Sequence, residues 1–251
     1  MAKPSQHSIT VGNACIHYQT IGEEGEPVVL VHGLSGSTLW WRRNVQSLAQ
    51  HYKLYLVDLP GFGTRSRRRG RFALKQASDW LFAWLTAMGI TRAHFIGHSM
   101  GGYICMEIAA RHPEVVKRLV LVAPAFKSQF QRVLDYMLPL FAGSRYVTPS
   151  FLPILAYDSL RAGPLTLLKA TREIIALDVG DELQRITQPV LLIWGEYDTL
   201  VSPVFGSLLR ADLPNARLLL LPHASHIAMF DQPHAFNAAV NAFLCGEDVG
   251  E

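Results

Sequence analysis

The sequence predicts an α/β fold, a mostly parallel sheet with helices packed on its faces. Two observations predict it. Short runs rich in Val, Ile and Leu recur along the chain, and the longer stretches between them carry apolar residues at helical spacing. Apolar residues make up 49% of the 251 and charged residues 17%, a balance that buries a large core and excludes an extended disordered chain. The alternation breaks once, between about 125 and 186.

Taken in order, two short strands are expected before Ile21, joined to the rest by the GEEGEP turn at Gly22 to Pro27. Strand candidates follow at Val28–His32, Leu54–Val57, Ala93–Ile96, Leu119–Val122, Val190–Trp194 and Arg217–Leu221. Helical spacing points to helices over Leu39–Gln50, Ala73–Met88, Ser99–Arg111, Pro203–Asp212 and Pro233–Leu244. Between Ala125 and Ile186 no strand pattern occurs, and Pro139, Pro149, Pro153 and Pro164 punctuate short helix-like pieces. That stretch is too long for a plain loop and reads as a small helical insertion. The expected division is a core of 1–124 and 187–251 with the insertion at 125–186. The insertion is oily, with Phe126, Phe130, Met137, Phe141, Phe151 and Leu155 among its residues. Most of these serve its own core, and a few are expected to face a pocket.

Composition excludes several functions. Cys15, Cys105 and Cys245 are odd in number, far apart and without CxxC spacing, so neither a disulfide framework nor a structural zinc site is expected. A reducing, cytoplasmic setting is the natural expectation. The first residues, MAKPSQHS, have no apolar signal core, and no stretch approaches the roughly 18 uninterrupted apolar residues of a membrane span. Stable membrane insertion is therefore not expected. The formal net charge is only +3, which argues against a nucleic-acid partner. That charge is local: Arg65, Arg67, Arg68, Arg69 and Arg71 carry five positive charges, and the rest of the chain is left at −2. Such a run ordinarily faces water, with attraction of acidic substrates or an anionic surface as its functional alternative.

The strongest chemical signal is Gly97-His98-Ser99-Met100-Gly101, a GxSxG sequence directly after the strand AHFI and directly before a helical run. A sharp turn from strand into helix strains the central residue, and only small residues two positions to either side leave room for it. Gly97 and Gly101 supply that room, which makes Ser99 the candidate nucleophile. The helix start behind it offers free N–H groups to a developing anion. A serine hydroxyl attacks only when a base takes its proton. Two histidines lie on the loop after the last strand, in LLLLPHASHIAMF. His226, five residues beyond Leu221, is the better placed; His223 at the strand's edge is its rival. The base must be neutral to act, so activity is expected to fall on acidification. A carboxylate should orient it. Asp198 follows the strand VLLIW in the turn Gly195-Glu196-Tyr197-Asp198, with Glu196 as its neighbouring rival. Sites of open α/β sheets gather at this carboxyl edge. A fourth part is His32-Gly33-Leu34-Ser35-Gly36-Ser37 after the strand VVLV. Its glycines let backbone N–H groups turn toward an oxyanion, and the expected donors are the amides of Leu34 and Met100.

With these residues in place, the chain resembles the α/β-hydrolase fold family, and within it the cap-bearing, carboxylesterase-like serine hydrolases. The resemblance is carried by HGLSGS at 32–37, DLPGFG at 58–63, GHSMGG at 97–102, GEYD at 195–198 and HASH at 223–226, in family order over nearly the whole chain. It implies an eight-stranded sheet with one antiparallel strand and a helical cap inserted after the sixth strand. It also implies a Ser99, Asp198, His226 triad needing no metal or organic cofactor. The family's second acid position falls at Ala123 and Pro124, which favours Asp198. One departure stands out: the family pattern DxPGxGxS reads here DLPGFGTRS, so the serine arrives one place late. The expected function is cleavage of small to medium, partly apolar carboxylic esters through an acyl-enzyme, by a monomer or homodimer. Lactonase, C–C bond hydrolase and perhydrolase chemistry use a similar triad and remain open, as does a ligand-sensing protein on the same fold.

Overall fold

The computed structural model describes residues 4–63, 72–126, 143–177 and 179–249, with Val133, Asp135 and Pro139. The arginine cluster at 65–71 lies outside the described residues. Eight strands form one sheet: β1 (Ser5–Val11), β2 (Ala14–Ile21), β3 (Glu26–Val31), β4 (Tyr52–Asp58), β5 (Ala93–His98), β6 (Val116–Val122), β7 (Val190–Gly195) and β8 (Ala216–Leu221). Their order is β1-β2-β4-β3-β5-β6-β7-β8. Only β2 runs against its neighbours β1 and β4; the other pairs are parallel.

Helices bounded among the described residues are α1 (Val45–Leu48), α2 (Leu74–Ala87), α3 (Met100–Arg111), α4 (Leu152–Ala162), α5 (Pro164–Ile175), α6 (Val204–Asp212), α7 (Ala228–Asp231) and α8 (Pro233–Cys245). They explain why the central strands read as unbroken apolar runs. Successive side chains of a strand point to opposite faces, and here both faces are covered. Val29, Val31, Phe95 and Leu121 share a core with Trp84 of α2 and Ile104 and Ile108 of α3. Val28, Leu30, Ile96, Val120 and Val122 share another with Trp41, Leu48 and, from α8, Phe236 and Val240. All of these strand residues are fully buried, each worth about 1.5–3 kcal/mol.

Two expectations are corrected. Leu39–Gln50 is not one helix: Thr38–Trp41 is a single 3-10 turn and only Val45–Leu48 is α-helical. The apolar spacing there reflects burial of Trp40, Trp41 and Leu48, while the buried Asn44 side-chain amide donates to Met229 O and Asn237 Oδ1, both at 2.9 Å. Strand β3 also begins earlier, at Glu26. Pro27 is tolerated because pairing with β5 starts only at Val28, so no ladder donor is missed on that side.

From β3 the chain crosses first to β4 on one side and then to β5 on the other. The carboxyl ends of β3 and β5 therefore flank a switch point, where a crevice opens. Between β6 and β7 the described residues hold no strand; they include α4, α5 and the 3-10 turns Ser144–Tyr146, Pro149–Phe151 and Gly180–Arg185, and Val133, Asp135, Pro139 and Gly143 are helical as well. Among the described residues, no helix is long and apolar enough to cross a membrane.

Candidate active site

Ser99 sits between β5 and α3 with φ 51° and ψ −115°, a left-handed conformation that L side chains avoid. Surrounding bonds impose it. Its N–H donates to Val122 O (2.9 Å), and its carbonyl accepts from Tyr103 N (3.2 Å) and Ala125 N (3.0 Å). Its hydroxyl makes no capping bond to α3, which leaves it available for chemistry. At Gly97 a Cβ would lie 2.6 Å from Gly101 O and 2.7 Å from Gly102 Cα; a side chain there would collide with the backbone of the turn. At Gly101 a Cβ would lie 2.4 Å from Val31 O and 2.5 Å from His32 O.

The HGLSGS loop leaves β3 beside this turn. The His32 ring bridges two backbone segments, Nδ1 to Gly33 O at 2.8 Å and Nε2 to Leu59 N at 3.1 Å. The partners assign the tautomer: Nδ1–H donates and Nε2 accepts. Burial pushes His32 down to about 4, so the ring stays neutral and keeps both bonds. Gly36 N donates to Gly33 O (3.0 Å), closing a tight turn around Leu34 and Ser35, whose φ is 60°. A Cβ on Gly33 would stand 2.7 Å from His98 Nδ1.

At the other end of the site, Asp198 is buried and uses both oxygens. Oδ2 pairs with His226 Nδ1 at 2.8 Å, and Oδ1 accepts from Leu200 N (2.9 Å) and Val201 N (2.8 Å). The rivals are placed elsewhere. Glu196 is exposed and accepts from His223 N (3.2 Å), and the exposed His223 ring pairs with the Tyr197 hydroxyl at 3.1 Å. His226 and Ser99 are joined through the residue before the serine: His98 Nε2–H donates to His226 O at 2.9 Å, and the two rings lie 4.8 Å apart. Burial, reinforced by His226 alongside, holds His98 well below the ordinary histidine range. Its Nδ1 is buried without a hydrogen-bond partner. Sequence reading passed over His98 as a member of the GxSxG turn, and nothing local marked it as a holder of the base loop.

A cavity of about 30 Å³ lies beside His226, lined by Pro139, Gly143, Tyr197 and Thr199 among others; it has room for a water. A larger cleft of about 540 Å³, lined by Arg118, Asn215, Arg217 and Phe243, sits at the amino ends of β6 and β8, away from Ser99. Among the described residues, no three His, Cys, Asp or Glu side chains gather as metal ligands would.

Strand order and switch point are those of the α/β hydrolases, and the comparison with known families agrees. The alpha/beta hydrolase family matches residues 28–239, and the chain belongs to it. Its curated relatives include a pimeloyl-[acyl-carrier protein] methyl ester esterase of Aeromonas salmonicida, 30% identical over 88% of this chain and 96% of that one. A 3-oxoadipate enol-lactonase of Acinetobacter baylyi is 27% identical over 94% of this chain and 96% of that one. Among solved structures, the enol-lactonase from Burkholderia xenovorans LB400 superposes with a TM-score of 0.83 at 24% identity, covering 95% of this chain and all of that one; this likeness concerns the fold.

Proposed function

We propose that this protein is a serine hydrolase that cleaves carboxylic esters of small to medium, partly apolar substrates. The observation that carries the reading is the Asp198–His226 pair at 2.8 Å, tied through the His98–His226 bond to the turn of Ser99, whose hydroxyl makes no capping bond. Ser99 Oγ attacks the acyl carbon while His226 Nε2 takes the hydroxyl proton. Asp198 holds the Nδ1–H and stabilises the imidazolium. The N–H groups of Leu34 and Met100 receive the oxyanion. His226 then passes the proton to the departing alcohol, and water clears the acyl-enzyme with the same groups. Residues 125–186 act as a cap over the core formed by 1–124 and 187–251. We also infer a cytoplasmic enzyme, a monomer or homodimer with a small-molecule substrate, consistent with three cysteines that stand free.

Turnover of p-nitrophenyl butyrate tests the assignment. Ser99→Ala should lower kcat by roughly 10⁴-fold or more, and a fluorophosphonate should label the peptide containing Ser99. Equal hydrolysis by both proteins would remove the nucleophile. Lactone hydrolysis by the same groups is the second reading, supported by the likeness to an enol-lactonase. A kcat/KM series over matched esters and lactones separates the two.

A further inference from the structure

The proposed mechanism must keep the base loop and the oxyanion loop in register, and one stretch of the insertion, residues 148–158, touches both. On the base side, Asp231 lies five residues beyond His226. Its Oδ2 accepts from the backbone N–H of Ser225 (2.8 Å) and from the Ser225 hydroxyl. Its Oδ1 accepts from the backbone N–H and hydroxyl of Thr148, at 2.9 and 2.7 Å. On the oxyanion side, Asp158 of α4 is only 2% exposed. Its Oδ2 accepts from the Ser37 hydroxyl (2.8 Å) and from Trp40 Nε1–H (2.9 Å).

Between these carboxylates, Phe151 packs edge-on against Trp40 (5.0 Å) and Phe230 (4.9 Å). Arg43 donates to both Phe230 O (2.9 Å) and Ser150 Oγ (3.0 Å). The Trp40 ring reaches on to His98, 5.5 Å away, the residue that holds the His226 carbonyl. A roof over a pocket needs apolar contact alone. Here each side is fastened by a carboxylate that reaches across, so a shift of the segment strains charge-assisted hydrogen bonds on both sides at once.

We propose that Asp158 and Asp231 are positioning residues that, acting through residues 148–158, set the spacing between the base loop at His226 and the oxyanion loop at Leu34. Seating of the insertion then governs turnover and not only substrate entry. The inference rests on the Ser99 and His226 roles given above. Misplacing catalytic groups by about 1 Å costs on the order of a hundredfold, which sets the size of the expected effect.

The test uses the full chain with Ser37→Ala, which removes a donor to Asp158, and Thr148→Val, which removes a donor to Asp231. For p-nitrophenyl butyrate each should lower kcat by roughly 10- to 100-fold with KM within about threefold. Fluorophosphonate labelling of Ser99 should slow in parallel. Thr148→Ser, which keeps the hydroxyl, should restore kcat. If Ser37→Ala fails to fold, Trp40→Phe carries the same test, because it removes the N–H donor to Asp158 and keeps an aromatic ring, though a smaller one, against Phe151. A kcat within twofold of the parent in these variants, a change confined to KM, or a loss that merely tracks the unfolded fraction in circular dichroism overturns the proposal. Ser99→Ala separates the two levels: hydrolysis near the parent rate there overturns the catalytic reading itself, whereas a roughly 10⁴-fold loss in Ser99→Ala beside unaltered positioning variants overturns this inference alone.

Discussion

Burial pushes the Asp158 carboxyl up to about 6, more than its bonds from Ser37 and Trp40 and the charge of Arg161 pull it down. Its second oxygen has no hydrogen-bond partner, which adds to the cost of ionising it there. The folded protein thus binds this proton more tightly than the unfolded chain, where the group titrates near 3.8. Its stabilising contribution is full below about 4 and is lost as the pH rises through about 6. Asp158→Asn should accordingly cost about 1 kcal/mol more at pH 5 than at pH 8, measured by urea unfolding at the two values; an equal cost would show the carboxylate ionised throughout. His32 runs the other way: burial holds it near 4, so its contribution is full above about 6.5 and fades as the pH falls toward 4. For catalysis, Asp198→Asn should remove most of kcat, on the order of 10⁴-fold, while Glu196→Gln leaves it near the parent. The opposite ranking would reassign the acid. Of these residues, Ser99, Asp198 and His226 are marked as candidates in the sequence by motif and chain order. Asp158 is not, since its partners Ser37 and Trp40 lie some 120 residues away and no local pattern announces a buried carboxylate.

At the scale of elements, the turn from β5 into α3 shows how backbone geometry creates a site. Its glycines are dictated by contact: a Cβ at Gly97 would meet Gly101 O at 2.6 Å. Gly97→Ala should therefore destabilise the fold by about 2 kcal/mol and slow fluorophosphonate labelling of Ser99, read by thermal unfolding and by the labelling rate. A stability unchanged within 0.5 kcal/mol would mean that the turn relaxes. The central strands were readable to within a few residues because both faces are buried and the apolar runs are unbroken. The segment Leu39–Gln50 was not, because its apolar spacing comes from packing of Trp40, Trp41 and Leu48 and not from a regular helix.

At the scale of the whole molecule, the insertion is bound to the core at several separated points. Lys169 Nζ donates to Phe72 O (2.8 Å) and Glu173 Oε2 accepts from Leu74 N (2.6 Å), besides the links at Asp158 and Asp231. With so many cross-links, insertion and core should unfold as one unit. Urea transitions followed by tryptophan fluorescence and by circular dichroism should coincide; two separated transitions would show an insertion that folds by itself. The sequence alone determined the alternation of strands and helices, the strained serine turn and the chain order Ser, Asp, His, because these depend on residues near one another or on hydrophobic period. Only the tertiary structure decided which histidine meets which carboxylate, and which side chains tie the insertion to both loops. Those choices rest on hydrogen bonds between residues brought together by the crossing of β3, β5, β7 and β8, and on burial that no single stretch of chain can express.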